Sequence, residues 1–313
     1  MGKKVAVFGS FVVDLMARAG HLPAPGETVK GSVFKMGAGG KGFNQGIAAH
    51  KSGADVAMIT KMGHDAFADV ALQTMDALSF DKQYILYNDE VGTGSAIIMV
   101  DEKTSQNEII IVPGACSTIT AAEVEGLRPL LQQCEYVLLQ LEANQVANEA
   151  VVKLAGECGC RVILNTAPYQ PVTDEFLSQV YMVTPNEVEA EMMTGVKVDS
   201  LEAAKKAAAV FYEKGVQVVL ITLGNRGVFL SENGREEILP AFKVKAVDTT
   251  GAGDAFNGGL LTALSEGSDL WSASRFASAL AALSVQKIGT TPSMPIREEV
   301  EDFLRNHPEK SGS

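Results

Sequence analysis

The chain has 313 residues, 46% of them hydrophobic, and sets 38 Asp and Glu against 26 Lys and Arg, for a formal net charge of −12. That length and apolar content suit one large globular core with an appendage, or two ordinary domains. The acidic balance argues against nucleic acid and anionic membrane as partners, so any phosphate site has to be built locally.

In chain order, the first apolar run is "VAVFG" (5–9). Two lysines precede it, but Gly9, Ser10 and Asp14 interrupt the stretch and no small-residue cleavage site follows, so it reads as a buried strand and not as a leader. Runs of similar length recur at 56–60, 136–141, 161–165, 181–184 and 218–223. No stretch reaches membrane-spanning length. Between the runs lie helix patterns: 120–134, opened by Thr120 with Glu123 in capping-box register; 200–215, opened by Ser200 and closed by Gly215; and 255–264. The alternation predicts an α/β fold with a doubly wound, mostly parallel sheet.

Two regions break the rhythm. Residues 11–37 contain Pro23, Pro25 and Gly26, and in 91–113 "GTGSAIIMVD" and "NEIIIVPG" follow one another with no helix between. Both predict a few antiparallel strands outside the main sheet. The expected organisation is a large α/β domain of residues 1–10, 38–90 and 114–313, from which a small β lid (11–37 and 91–113) is inserted as two excursions. The tail "HPEKSGS" is expected to be disordered. Cys116, Cys134, Cys158 and Cys160 form no disulfide framework, and Cys158-Gly-Cys160 lacks the usual zinc or thioredoxin spacing, which predicts reduced thiols in a cytoplasmic protein. His21, His50, His64 and His307 are scattered without metal-ligand spacing.

Two glycine-rich stretches remain. "GAGGKG" (37–42) satisfies G-x-G-x-x-G, but the next strand runs into Lys61 where a dinucleotide site needs an acid for the ribose. That weighs against a nicotinamide-dependent oxidoreductase. "DTTGAGDAFNGG" (248–259) leads into a helix pattern, so Gly251, Ala252 and Gly253 offer main-chain N–H groups at a helix N-terminus, which favours an anion. Asp254 beside them also reads as an ordinary first-turn acid. Phosphoryl transfer to an alcohol gives the pair a purpose: N–H donors take the charge of the travelling phosphoryl, while a carboxylate takes the proton of the attacking hydroxyl.

Together with "GAGGKGFNQGIAAHKSGADVAMITKMGHDAFAD", the second stretch resembles the two signatures of the ribokinase-like (PfkB) carbohydrate kinases. "GETVKG", "LQLE", "TPNEVEAEMMTG" and "LITLGNRG" resemble further blocks of that family, in order, over nearly the whole chain. The resemblance implies an ATP-dependent kinase that phosphorylates the primary hydroxyl of a small sugar, a pentose such as ribose or 2-deoxyribose. It also implies a doubly wound domain with a β lid that joins two copies into a homodimer. It makes Asp254 the catalytic base and Gly251, Ala252 and Gly253 the anion hole, and places Asp14, Gly40, Lys41, Asn44 and Glu142 around the sugar. Singly, Asp14 also reads as a turn cap, Asn44 as a helix cap and Glu142 as a solvated residue after a strand. Asn186, Glu187 and Glu189 fall near the triphosphate by the same resemblance, with Glu189 organising Mg²⁺ through water, although Pro185 and the acids after it equally suit a plain helix start. Thr222, Gly224 and Gly227 match the adenine-nucleotide loop, or a hairpin turn. A K⁺ site is implied at Asp248, Thr250, Ser284, Lys287, Gly289 and Ser293, largely through carbonyls.

The chain departs from the pattern at Val12, where ribokinases carry Asn, at Phe43, and at Cys116. Members resembling deoxyribokinases share an apolar residue at the first of these, which brings in 2-deoxyribose. A kinase of another small sugar or a nucleoside, and a non-catalytic sugar or nucleotide sensor, are the other readings; the presence of Asp254 counts against the sensor.

Overall fold

The computed structural model describes residues 2–104 and 106–308. Its strands, in chain order, are β1 (Val5–Phe8), β2 (Val12–Ala19), β3 (Gly31–Gly39), β4 (Val56–Gly63), β5 (Ile85–Asn88), β6 (Thr93–Asp101), β7 (Asn107–Gly114), β8 (Tyr136–Gln140), β9 (Arg161–Asn165), β10 (Met182–Val183), β11 (Val218–Thr222), β12 (Val228–Glu232) and β13 (Arg235–Leu239). Nine of them form one sheet in the order β13-β12-β11-β10-β9-β8-β1-β4-β5, parallel from β5 through β11, with β12 and β13 added antiparallel at one edge. Both faces are covered. Within β1, Val5 and Val7 enter one apolar cluster and Ala6 and Phe8 the other; Tyr136 and Leu138 against Val137 and Leu139 repeat the division in β8. A continuous apolar run is therefore an alternating strand with two buried sides.

The chain starts at β1, moves outward to β4 and β5, then returns to the other flank of β1 at β8. The strand order thus reverses between β1 and β8, and a cleft is expected beyond their carboxyl ends. The helices Lys41–Lys51 and Ala252–Ser265 cross the sheet beside that opening. Ala252–Ser265 is buried from Asp254 to Ser265 because it lies under neighbours on two sides: a Cβ on Gly258 would stand 2.5 Å from that of Ala48, and one on Gly259 would stand 3.0 Å from the Cα of Ala277 in the helix Leu270–Ser284. The "NGG" of the motif is a helix-packing device.

The two excursions build a separate four-stranded sheet, β3-β2-β6-β7. It is not wholly antiparallel. β2 runs parallel to β6 because the connection between them travels through the α/β body, whereas β2–β3 and β6–β7 are antiparallel. The pattern expected at 200–215 forms the helix Leu201–Glu213 with Ser200 capping it and Gly215 beyond at φ +94°. The single helix expected over 120–134 is instead two turns, Ala121–Glu125 and Arg128–Leu131. Pro129 has no N–H to continue the first ladder, so the chain restarts at Leu127. The Thr120–Glu123 capping box is formed as expected. Of the tail expected to be disordered, residues 309–313 lie outside the described residues.

Candidate active site

The cleft is assembled from both sheets: Asp14 within β2, Gly40 and Lys41 after β3, Glu142 after β8 at the switch point, and the turn that opens Ala252–Ser265. Gly251, at φ +78°, caps Ala252–Ser265, so the helix begins three residues earlier than its apolar periodicity predicts and Asp254 sits in its first turn. The left-handed backbone at Gly251 favours glycine and strains a β-substituted residue. The Ala252 N–H donates to the Thr249 carbonyl at 3.2 Å; Gly251 and Gly253 make no such main-chain bond among the described residues. Asp254 is 7% exposed. Its carboxylate accepts from Asn44 Nδ2 at 3.1 Å and from Gln45 Nε2 at 3.0 Å. Burial raises its pKa and Glu142 adds to the rise, against the Lys41 ammonium and the two amide donors.

Asp14 stands in the middle of β2, paired on both sides, and so caps no turn. Its carboxylate leans over Gly39, where a Cβ would lie 2.3 Å from Oδ1. Burial pushes the Asp14 carboxyl up to about 6, with Glu142 and Asp254 adding repulsion. Glu142 is not a solvated residue: it accepts the Lys41 N–H at 2.8 Å and the Ser10 hydroxyl. Gly40, at φ +89°, precedes the helix that carries Lys41 and Asn44. Asn44 caps nothing; its Oδ1 accepts from Thr291 Oγ1 at 3.1 Å while its amide serves Asp254. Three carboxylates and one ammonium thus converge on one opening.

A cavity of about 200 Å³ continues from there, lined by Lys41 and Gly251 to Asp254 on one side and by Asn186, Glu189 and Thr222 on the other. Glu189 closes a capping box with Asn186 and accepts the Thr166 hydroxyl at 3.0 Å, so the plain helix-start reading describes its local bonding correctly. Among the described residues no group of three or more His, Cys, Asp or Glu could hold a metal ion. A magnesium ion here fits only in the manner expected of that ion, mainly through water and phosphate oxygens, with Glu189 at its margin. Thr222 ends β11 and pairs by a bridge with Asn186. Gly224 and Gly227 lie beyond it, in a 3₁₀ turn between β11 and the antiparallel β12, and do not line the cavity.

The residues expected around K⁺ gather behind the first turn of Ala252–Ser265. Burial works against ionised Asp248, yet the N–H groups of Gly289 and Thr250, both at 3.0 Å, hold its carboxyl below the usual range and draw the two loops together. The Ser284 and Ser293 hydroxyls donate to nearby carbonyls, which leaves their oxygen lone pairs free for a cation, whereas Lys287 pairs with Glu299 and can offer only its main-chain oxygen.

Of the three departures, Phe43 is 0% exposed and packs edge-on against Phe11 with ring centres 4.9 Å apart. Cys116 is also buried, its Sγ bonded to the Lys61 carbonyl at 3.1 Å. Val12 alone shares the strand face of Asp14, two residues away on β2, packed on Gly94. "GAGGKG" spans the end of β3 in the small sheet and the start of the helix Lys41–Lys51, and does not follow a strand of the parallel sheet, which removes the context a dinucleotide fold requires; Lys61 is buried in β4 and paired with Glu123 at 2.7 Å.

Sequence reasoning passed over Gln45, Gln140, Asn165, Thr184 and Asn257, which are 0–7% exposed and mutually hydrogen-bonded beside Asp254. A signal was present: Gln140, Asn165 and Thr184 are polar residues that close apolar strand runs at their carboxyl ends, where ligands of such sheets bind.

A doubly wound sheet whose switch-point cleft sets a buried carboxylate against a helix N-terminus defines a phosphotransferase with an alcohol acceptor. Residues 2–297 match the pfkB family of carbohydrate kinases, and the chain belongs to that family. It is 40% identical to the ribokinase of Haemophilus influenzae over 98% of this chain and 100% of that one. It is 34% identical to the deoxyribokinase of Salmonella typhi over 96% of this chain and 98% of that one. The structure of Arabidopsis thaliana ribokinase complexed with ribose and ATP superposes with a TM-score of 0.90 at 31% identity, covering 97% and 99% of the two chains.

Proposed function

We propose that the protein is an ATP-dependent kinase of a pentose, ribose or 2-deoxyribose, with Asp254 as the base. The observation that carries this reading is the placement of the Asp254 carboxylate, buried and gripped by two amides, one residue from Gly253 at the mouth of a helix N-terminus. In the reaction the primary hydroxyl loses its proton to Asp254, an O–P bond forms at the γ-phosphorus, and the bridging oxygen leaves with ADP. Gly251 and Gly253 receive the phosphoryl charge, joined by Ala252 once its N–H turns from Thr249. Asp14, Gly40, Lys41, Asn44 and Glu142 hold the sugar, whose hydroxyls both donate and accept. Asn186, Thr222, Gly224 and Gly227 face the nucleotide. Glu189 would organise Mg²⁺ through water, and the ion would supply charge neutralisation on the phosphates; the loops joined by Asp248 would hold K⁺, which would order the anion-hole turn.

The four-stranded sheet acts as the lid. Register places Gly37, Ala96 and Ile111 on the rung of Asp14, so the sheet closes an apolar wall over the sugar and excludes water from the transfer. The same sheet joins two copies of the chain. No helix among the described residues is long and apolar enough to cross a membrane, and the reduced cysteines support a cytoplasmic setting. Val12 on the Asp14 face favours 2-deoxyribose as a full substrate, because an apolar wall does not reward a ribose hydroxyl.

ADP release measured across pentoses, hexoses and nucleosides, with and without K⁺, tests the reading. Pentose-dependent turnover that K⁺ stimulates is expected; turnover confined to hexoses or nucleosides, or none at all, overturns it.

A further inference from the structure

Gln45 is 0% exposed and lies next to Asn44 in the helix Lys41–Lys51. Its amide can face only one way. Gln140 Nε2 donates to Gln45 Oε1 at 2.6 Å, which turns Gln45 Nε2 toward two acceptors, Asp254 Oδ1 and Asn165 Oδ1, each at 3.0 Å. Flipping the group would set a carbonyl oxygen against both. Asn165 is oriented in turn by donating to the Thr184 carbonyl at 3.1 Å. The Thr184 hydroxyl donates to Asn257 Oδ1 at 2.6 Å, and Asn257 Nδ2 donates to the Gly253 carbonyl at 2.8 Å. The chain of bonds leaves Asp254 through Gln45 and comes back to the residue before Asp254.

We infer that Gln45 is a positioning residue for phosphoryl transfer: acting through Asp254 and not through the sugar, its amide fixes the plane of the carboxylate and supports its ionised form. Asn44 holds Oδ2 and Gln45 holds Oδ1, so the carboxylate is secured at both oxygens and only its remaining lone pairs face the acceptor hydroxyl. The charged groups facing Asp254 are the Lys41 ammonium from the helix Lys41–Lys51, Asp14 from β2 and Glu142 after β8. Two acids against one base leave the electrostatic surroundings unfavourable to a third carboxylate, and a charge-assisted N–H donor offsets that. This inference rests on Asp254 being the base.

Gln45→Met keeps the volume and removes the donor. Its kcat is expected to fall by about 10- to 100-fold, with KM for sugar and ATP within about twofold and the acidic limb of the kcat–pH profile moved up by about one unit. Gln140→Met frees the Gln45 amide to turn, and should shift the same limb in the same direction with a kcat loss of about three- to tenfold. Gln140 Oε1 has no partner among the described residues, so this second variant forfeits a single bond. A folded Gln45→Met with an unmoved pH limb overturns the proposal, and so does a sugar KM that rises while the limb stays in place. Should Gln45→Met fail to fold, an unmoved limb in Gln140→Met overturns it. Near-normal turnover in Asp254→Asn would remove the base itself; an inactive Asp254→Asn beside a normal Gln45→Met removes only the role of Gln45.

Discussion

At the carboxyl ends of β1, β8 and β9 the protein buries polar side chains and bonds them to one another, whereas on its four-stranded sheet it exposes apolar ones. Gln45, Gln140 and Asn165 are 0–7% exposed; Phe34, Met36, Ile109 and Ile110 are 51–67% exposed. Each pattern is costly by itself. A buried amide without a partner, or several large apolar side chains in water, costs about 1–3 kcal/mol apiece. The first cost is met inside the chain, by the ring of bonds around Asp254. On the reading proposed above, the second would be met by the sugar on the Asp14 face and by a partner copy, so that the cleft is organised before substrate arrives and the lid would be completed by binding.

Four variants bear on that contrast. Asp254→Asn should lower kcat by about 10²- to 10⁴-fold while ATP affinity, read by calorimetry, and Tm stay at or above wild type, since a neutral amide loses far less solvation on burial than a carboxylate does. A Tm that collapses would show that the carboxylate holds the fold together. Asp14→Asn sharpens the electrostatic side. Below the ordinary 3.8 the carboxyl is protonated in folded and unfolded chains alike and costs nothing; above about 6 it is ionised in both, and the folded chain bears the whole cost. The variant should therefore gain about 1–3 kcal/mol at pH 7.5 and nothing at pH 3.5, measured by urea melts, together with a large rise in sugar KM. A gain that is equal at both pH values would exclude the acid as its source. On the lid, Ile109→Glu combined with Ile110→Glu places a charge on each face of β7. Sedimentation should then show monomers, and sugar KM should rise by about tenfold with kcat little changed; an intact dimer would break the proposed role of the exposed face. Smallest, Val12→Asn should raise kcat/KM for ribose relative to 2-deoxyribose by about tenfold, and an unchanged ratio would mean that this position does not sense the sugar.

Much of this arrangement was legible in the sequence, unevenly. Strands fully buried on both faces left continuous apolar runs, and β1, β8, β9 and β11 fall within two residues of where those runs predict them. Asp254 and its glycines stood out because the turn is local: the helix-start N–H groups and the carboxylate are neighbours in the chain. Helix ends were less legible. The start of Ala252–Ser265 is decided by the left-handed Gly251, and the break at Pro129 by a missing donor, neither of which periodicity detects. The parallel β2–β6 pair was hidden as well, since two adjacent-looking hairpins carry no mark of which strand of one meets which strand of the other. Phe43 and Cys116, departures that bore on sugar identity by sequence alone, prove to be packing residues.

By itself the sequence determined six strands of the main sheet, the glycine turn before Ala252–Ser265 and the acid beside it, because each is encoded within a dozen consecutive residues by apolar pattern, glycine and charge. Only the tertiary structure decided which way the Gln45 amide faces, that Asp14, Glu142 and Asp254 repel one another, and that Asn44 and Asp254, 210 positions apart, share a hydrogen bond. Orientation and pKa depend on distances between atoms from separate segments, and those distances exist only once both cores have packed.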